Sequence, residues 1–169
     1  MSHDSINRFL LREAYEPRDL FEIIQKFVNL KDGILSIDDT VIEKPYSQPK
    51  HAELISYFWS GKYHKPIIGI NLITLYYSDI HGNSVPINYR IYNKREGKTK
   101  NDYFREMVIE TIEWGVKASI VTGDSWYSGV EYLPDYTYAA HLKLLCFSQP
   151  RIENPVSVLL EISSSLLLN

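Results

Sequence analysis

The apolar residues in the first part of the chain follow helical spacing before the pattern becomes strand-like. Two short helices are predicted, over residues 5–13 and 18–30. In the second helix, Pro17 stands near the start and Gly33 is expected to provide the end. Its apolar residues recur every three to four positions: Leu20, Ile23, Ile24, Phe27 and Val28. The chain is therefore expected to open with a helical segment.

A buried strand and a long loop are predicted next. In residues 33–42, apolar and β-branched residues flank a polar centre, which consists of Asp38, Asp39 and Thr40. Carboxylates inside such a strand need a physical reason, because burying them without a partner is costly. Residues 43–66 are polar and aromatic, and a loop is expected because four residues interrupt any regular element: Pro45, Pro49, Gly61 and Pro66.

The middle of the chain predicts a hairpin followed by a helix. The apolar run of residues 67–77 is typical of a central strand covered on both faces. Residues 85–92 alternate as a partner strand does, after the turn residues Asp79, Gly82 and Asn83. A helix capped by Asn101 is predicted over residues 101–114, ending at Gly115. Its buried side is expected to carry Phe104, Met107, Val108 and Ile112.

Beyond this helix the pattern weakens. Residues 118–122 predict a short strand that ends at Gly123 and Asp124, and residues 127–133 a helix before Pro134. After residue 142 the sequence predicts no regular element. The resulting order of strand, hairpin, helix, strand and helix, with one acid in the first strand and one at the end of the later strand, matches the ribonuclease H-like arrangement. The predicted fold class is therefore α/β, with a ribonuclease H-like mixed sheet and flanking helices.

Composition narrows the class of protein. With 169 residues, 44% of them hydrophobic, the chain can bury the core of one domain. A formal net charge of −3 gives no overall attraction to nucleic acid, so any such contact needs local basic patches. The single cysteine, Cys146, excludes an intrachain disulfide framework and a multi-cysteine zinc site. Without an export signal or a long apolar run, a cytoplasmic protein that does not enter the membrane is expected.

Asp38 and Asp124 are the candidate metal ligands. If the first strand and the strand ending at Asp124 lie side by side, both carboxylates meet at one edge of the sheet. Magnesium prefers oxygen ligands, and divalent cations can activate an attacking oxygen and neutralise a phosphate. The ordinary alternative for Asp124 is a helix cap or a turn residue. For Asp38 that alternative is weaker, because the residue lies within an apolar strand.

Several segments together resemble insertion-sequence transposases of the DDE class. They are LSIDDTVIEKPYS, SGKYHKPIIGINLITLYYSD, VPINYRIYNK and VTGDSWYSG, which occur in the family's order. The resemblance implies that the D-x-T motif supplies the first acid at Asp38, with Asp39 as the rival assignment, and that the GDSWYS motif supplies the second at Asp124. Thr40 and Ser125 would orient these ligands. It further implies Mg²⁺ or Mn²⁺ as cofactor, and as partners DNA, namely terminal repeats and target, with a possible homo-oligomer or intact transposase.

The third acid of that family has no matching motif in this sequence. It is a glutamate on a helix far downstream, whereas Glu131 lies too close to Asp124, and Glu153 and Glu161 lack the family's tyrosine and arginine context. The sequence therefore predicts a site that is incomplete at the C-terminal end. The expected organisation is a helical lead-in over residues 1–33, a partial catalytic domain over 34–142 and an unassigned tail over 143–169.

A basic loop is the candidate DNA-binding element, and its members are Lys94, Arg95, Lys98 and Lys100. The alternative is a solvated surface loop. Lys44, Lys62, His64 and Lys65 could extend the patch, although an ordinary exposed histidine is the simpler account of His64. Trp59, Trp114 and Trp126 are candidates for stacking on bases, with core packing favoured for Trp114. His141 and Cys146 lack metal-ligand spacing and are expected to be packed.

Other function classes fit less well. A haloacid-dehalogenase-like phosphatase needs an acid two places after its nucleophile, but Thr40 and Val41 stand at those places. A serine hydrolase using Ser125 needs a partnered histidine, and no motif places His141 there. The stronger alternative is a noncatalytic remnant that binds DNA or an intact transposase, since the third acid is unassigned.

Overall fold

The computed structural model describes residues 15–124, Tyr127 and the backbone of Lys143–Phe147. These residues form an α/β structure in which six strands belong to one mixed sheet. The strands are β1 (Ile34–Glu43), β2 (Ser56–Ser60), β3 (Lys65–Ser78), β4 (Ser84–Ile91), β5 (Ile120–Asp124) and β6 (Lys143–Phe147). The α helices are α1 (Pro17–Ile24) and α2 (Lys100–Glu113). Neither described helix has the length and apolar character needed to cross a membrane.

The long strand β3 organises one half of the sheet. It pairs antiparallel with β1 along one edge, while β2 and β4 pair with successive parts of its other edge. Gly69 shows the arrangement, since it pairs with Glu43 of β1 and also with Ser56 of β2. The other half of the sheet is parallel, because β5 runs parallel to β1 and β6 parallel to β5.

The core lies on one face of this sheet. Along β3 the odd-numbered residues from Gly69 to Tyr77 are buried, whereas the even-numbered ones are half-buried or exposed. Helix α2 covers the buried face with its predicted apolar side, including Phe104, Met107 and Val108, and α1 adds Phe21 and Ile24 to the same core. The prediction that β3 is covered on both faces is wrong for the described residues.

Helix α2 is fixed at its N-terminus by a capping box. The Thr99 hydroxyl accepts a hydrogen bond from the Asp102 backbone N–H at 3.2 Å, and the Asp102 carboxylate accepts one from the Thr99 backbone N–H at 2.7 Å. The predicted cap at Asn101 is therefore wrong by two residues. Midway along the helix, the Arg90 guanidinium of β4 pairs with the Glu110 carboxylate. The helix stops before Gly115, which has φ 99°.

Most elements agree with their sequence patterns, and three differences have physical causes. Strand β2 lies in the predicted loop of residues 43–66, since pairing with the start of β3 outweighs the surrounding turn residues. Strand β6 lies in the predicted unassigned tail and pairs with β5. Helix α1 ends at Ile24 and is followed by a 3₁₀ turn, so it is shorter than expected. The predicted end of the helix is not helical because Leu30 and Asp32 form backbone hydrogen bonds with Lys117. The predicted helices over residues 5–13 and 127–133 fall outside the described residues except for Tyr127.

The turn between β3 and β4 is held by the buried residue Asp79. Its carboxylate accepts hydrogen bonds of 2.9–3.1 Å from the backbone N–H groups of Asn29, His81 and Asn83 and from the Asn83 side-chain amide. Burial by itself would raise the pKa of Asp79, but these donors outweigh it and lower the pKa to about 2. The turn is thereby tied to the segment that precedes β1.

Asp79 should make the stability of the fold pH-dependent. Its folded-state pKa of about 2 lies below the ordinary value near 3.9, so its stabilising effect is complete above that value and is lost as pH falls towards 2. We expect Asp79→Asn to lower the melting temperature at pH 7, with a smaller deficit relative to the unmodified protein at pH 3. Thermal melts followed by circular dichroism measure both differences.

Asp32→Asn is the matched control, because Asp32 is exposed and asparagine tolerates its positive φ of 62°. This variant should melt nearly as the unmodified protein does. A deficit for Asp79→Asn that is equally large at pH 7 and pH 3 would contradict the proposed role of the Asp79 charge.

Candidate functional site

The candidate site lies where β1 and β5 run side by side. The two strands are parallel, with Ser36 in register with Thr122. The Thr122 hydroxyl donates to the Ser36 hydroxyl oxygen, with 2.9 Å between the oxygens. Because side chains alternate between faces along a strand, the side chains two residues beyond this pair point to the same face as Ser36 and Thr122.

Those next side chains are the predicted acids, Asp38 and Asp124. The strands stay in close contact up to them, since a Cβ on Gly123 would stand only 2.8 Å from the Ile37 Cγ2 atom. Neighbouring strands in a sheet are about 4.8 Å apart, so the backbones at Asp38 and Asp124 are separated by a distance of this order. The structure therefore brings Asp38 and Asp124 together, on one face and at one end of the parallel strand pair.

The environment of Asp38 disfavours its negative charge. Partial burial is the largest influence that raises the pKa of this carboxyl, and the charges of Asp39 and Asp124 raise it further. The Asp39 backbone N–H, which donates to Asp38 Oδ1 at 2.8 Å, and the Lys100 ammonium act in the opposite direction. Asp38 is nevertheless exposed at the surface. A cation bound there would relieve the mutual repulsion of the carboxylates.

Asp39 points to the opposite face of β1, where three side chains hold it. The Asn71 amide and the Lys100 ammonium each donate to Asp39 Oδ2 at 2.6 Å, and the Tyr127 hydroxyl donates to Asp39 Oδ1 at 3.2 Å. These donors come from β3, from the start of α2 and from the residues after β5. Asp39 thus anchors three parts of the fold to β1, and this geometry favours Asp38 as the acid that faces Asp124.

Tyr127 is buried and makes an edge-on contact with the Phe104 ring at 5.5 Å between centroids. Burial raises the pKa of its hydroxyl, and the nearby carboxylate of Asp39 raises it further. The hydroxyl therefore keeps its proton and remains a donor to Asp39. Tyr127 and Asn71 were not predicted from the sequence as site residues. The available signals were a tyrosine inside the GDSWYS motif and one polar residue within the apolar run of β3.

The predicted DNA-binding lysines make contacts within the protein. Lys94 donates to the Tyr57 carbonyl at 2.7 Å, Lys98 pairs with Glu106 at 2.7 Å, and Lys100 pairs with Asp39 at 2.6 Å. Lys94, Arg95 and Lys98 lie on or beside a short 3₁₀ turn that precedes α2. Of the four residues, the structure brings Lys100 closest to the acids. Contact between this loop and DNA stays a prediction.

Several predicted site residues fall outside the described part of the chain: Ser125, Trp126, Glu131, His141, Glu153 and Glu161. Thr40 is exposed on the same face of β1 as Asp38. Among residues 15–124, Tyr127 and the β6 backbone, no group of three or more histidine, cysteine, aspartate or glutamate residues has the geometry to hold a metal ion. The third acid stays unassigned.

The chain was compared with protein-family models, with curated proteins and with solved structures, and no significant match was found. The chemistry of the site therefore has to be inferred from its own residues.

The ion pair between Asp39 and Lys100 should contribute measurably to stability. Its side chains are 19% and 34% exposed, so solvent screens the pair only in part. We expect a double-mutant cycle with Asp39→Asn and Lys100→Met to give a coupling free energy of about 1 kcal/mol. Urea unfolding of the four proteins measures it.

The Lys98–Glu106 pair supplies the comparison, since its side chains are 43% and 42% exposed. A cycle with Lys98→Met and Glu106→Gln should give a smaller coupling. Strict additivity of the Asp39 and Lys100 substitutions would show that the pair does not anchor α2 to β1.

Proposed function

We propose that this chain carries part of the catalytic site of a DDE-type transposase, which cleaves and transfers DNA strands with a divalent metal ion. In this proposal Asp38 and Asp124 are two of the metal ligands, and Mg²⁺ or Mn²⁺ is the cofactor. The observation that carries it is that these acids, far apart in the sequence, occupy matching positions on adjacent parallel strands and share one face.

The topology supports the same proposal. On one side of β1 lies the antiparallel strand β3, which pairs in turn with β4, and on the other side lie the parallel strands β5 and β6. Helix α2 lies between β4 and β5 in the chain. This arrangement resembles the ribonuclease H-like fold that the sequence predicts. In open α/β sheets, functional groups commonly lie where neighbouring parallel strands separate. Asp124 is the last residue of β5, and Asp38 lies in the middle of β1, two residues beyond the last residue paired with β5.

The chemistry of the two residues fits a hard divalent cation. Both offer carboxylate oxygens, which Mg²⁺ prefers, and the crowding of negative charge around Asp38 favours a bound cation. Such an ion, when bound, would activate an oxygen nucleophile and neutralise charge on a phosphodiester. The protein's own part is to fix the two carboxylates on rigid strands.

The opposite face of β1 supplies that rigidity. Asp39, adjacent to Asp38, is tied by Lys100 to α2 and by Asn71 to β3. Rotation of β1 at this point would break both hydrogen bonds, so the direction of the Asp38 side chain is set by contacts on the far side of the strand. Positioning of this kind is what phosphoryl-transfer sites require.

Removing either acid should weaken metal binding. Asp38→Asn and Asp124→Asn keep the side-chain shape but remove one charged ligand oxygen each, so we expect Mn²⁺ to bind at least about tenfold more weakly. Isothermal titration with Mn²⁺ measures this effect. Nicking of supercoiled plasmid DNA in Mg²⁺ or Mn²⁺ tests the activity, and any nicking by the unmodified protein should be lost in both variants.

Asp32→Asn again serves as the control, because it removes one negative charge at an exposed position outside the site. Its Mn²⁺ affinity should match that of the unmodified protein. Unchanged Mn²⁺ binding in Asp38→Asn or Asp124→Asn would refute the metal site. Site-dependent Mn²⁺ binding without nicking would favour the noncatalytic alternative, in which the chain binds DNA or an intact transposase.

A further inference from the structure

Exposed aromatic side chains are concentrated around β2. Along this strand Phe58 and Ser60 are buried, whereas Tyr57 and Trp59 are 57% and 63% exposed. Tyr63, in the turn between β2 and β3, is 41% exposed. We refer to Tyr57, Trp59 and Tyr63 as the β2 platform. Large apolar rings at a surface lose favourable burial energy unless a partner covers them, so a cluster of three suggests a binding surface.

The platform belongs to the sheet face that carries Asp38 and Asp124. Tyr57 pairs with Ile68 and Trp59 with Pro66, while Asp38 pairs with Thr74. These partners are all even-numbered residues of β3, so their side chains share one face, and directly paired residues across strands point the same way. Six residues of β3 separate Ile68 from Thr74, which corresponds to about 20 Å along the sheet.

The third ring extends the same surface. Tyr63 lines an open groove of about 490 Å³ together with Pro66 and Ile68, the strand partners of Trp59 and Tyr57. Glu43 and Lys65 lie on the wall of this groove. The platform therefore combines exposed aromatic rings with an adjacent groove that is lined by charged residues.

Positive charge surrounds the platform. The Lys62 ammonium stands 4.8 Å from the centre of the Tyr63 ring, Lys65 lines the groove, and Lys44 follows the end of β1, where its backbone N–H donates to the Ile68 carbonyl. All three side chains are exposed. Glu43 is the acid among them, so this rim is basic although the whole chain carries a net charge of −3.

The edge of β2 that no strand of the described residues covers is less suited to a second protein strand. Strand addition needs open backbone groups, and the Tyr57 carbonyl is occupied by the Lys94 ammonium, which also stands 4.7 Å from the centre of the Phe58 ring. A lysine at an edge strand opposes strand pairing. The combination of exposed rings and lysines instead matches the way proteins bind single-stranded nucleic acid, by stacking on bases and neutralising phosphates.

We propose that the β2 platform binds single-stranded DNA, with Trp59 and Tyr57 stacked on unpaired bases and Lys44 and Lys62 near the phosphates. The choice of DNA rests on the proposed function, whereas the stacking surface rests on the geometry of β2. A strand held here would run along the sheet face towards Asp38 and Asp124.

Trp59→Ala tests the platform. Binding of a fluorescently labelled 12-nucleotide single strand to the full chain, followed by anisotropy in EDTA at low salt, should weaken about tenfold, because one base loses its aromatic partner. Trp59→Phe should retain most of the affinity. Binding of a duplex of the same sequence should change little, since its bases are already stacked. Thermal melts should show that Trp59→Ala folds normally.

Phe27→Ala is the matched control, since Phe27 is also highly exposed, at 62%, and has Lys26 5.5 Å from its ring centre, yet lies outside the platform. It should not alter single-strand binding. Equal affinities of Trp59→Ala and the unmodified protein would overturn the proposal. So would self-association, seen by sedimentation, that Trp59→Ala abolishes, because a second copy would then cover the platform.

The experiments distinguish a failure of the β2 platform from a failure of the proposed metal site. EDTA removes any bound metal ion, so Asp38→Asn should not weaken binding of the single strand, and a defect confined to Mn²⁺ binding concerns only the carboxylates. Tighter binding of an RNA of the same sequence would overturn the choice of DNA. A loss of single-strand binding in Trp59→Ala would support the platform even if plasmid nicking were absent.

Discussion

The parallel pairing of β1 with β5 is the constraint on which the rest of the structure depends. It sets Asp38 and Asp124 on one face, where neighbouring negative charges oppose each other and partial burial adds to the cost. The repulsion between these two charges by itself lowers the stability of the fold. Carboxylates placed together in this way are instead typical of sites whose favourable energy comes from a bound cation, which is why the pair supports function rather than packing.

The opposite face of β1 compensates for this cost. One residue along, Asp39 is stabilised by the Lys100 ammonium, the Asn71 amide and the Tyr127 hydroxyl, each from a different part of the fold. A strand alternates its side chains, so consecutive aspartates can serve opposite purposes: Asp38 faces the candidate site, while Asp39 fastens the strand to its neighbours. The same lysine that anchors α2 also lowers the negative potential around Asp38.

The sequence was sufficient where local pattern and tertiary packing agree. Strand β1, the β3–β4 hairpin, α2 and β5 have strong apolar periodicity. The side-by-side pairing of β1 and β5, on which the predicted site depended, is present in the structure. It was insufficient where pairing partners decide the structure. Strand β2 exposes the aromatic residues Tyr57 and Trp59, so its sequence lacks the apolar–polar alternation of a half-buried strand. The segment after α1 is held by backbone hydrogen bonds with Lys117, which is distant in sequence. The contacts of Asp39 could not be predicted from the sequence, because its partners Asn71, Lys100 and Tyr127 are distant along the chain.

The charge distribution explains why the proposed function would need two separate regions on one sheet face, one that binds metal and one that binds a DNA strand. A cluster of carboxylates repels phosphates until a cation is bound, so Asp38 and Asp124 by themselves hold a DNA strand poorly. Lysines placed directly beside them would compete with the metal ion for the same oxygens. In the proposed arrangement, the lysines and exposed rings near β2 lie about 20 Å along β3 from the acids, which would separate strand binding from the metal ligands. The extension of β3 beyond β1, which carries β2, is what makes that separation possible.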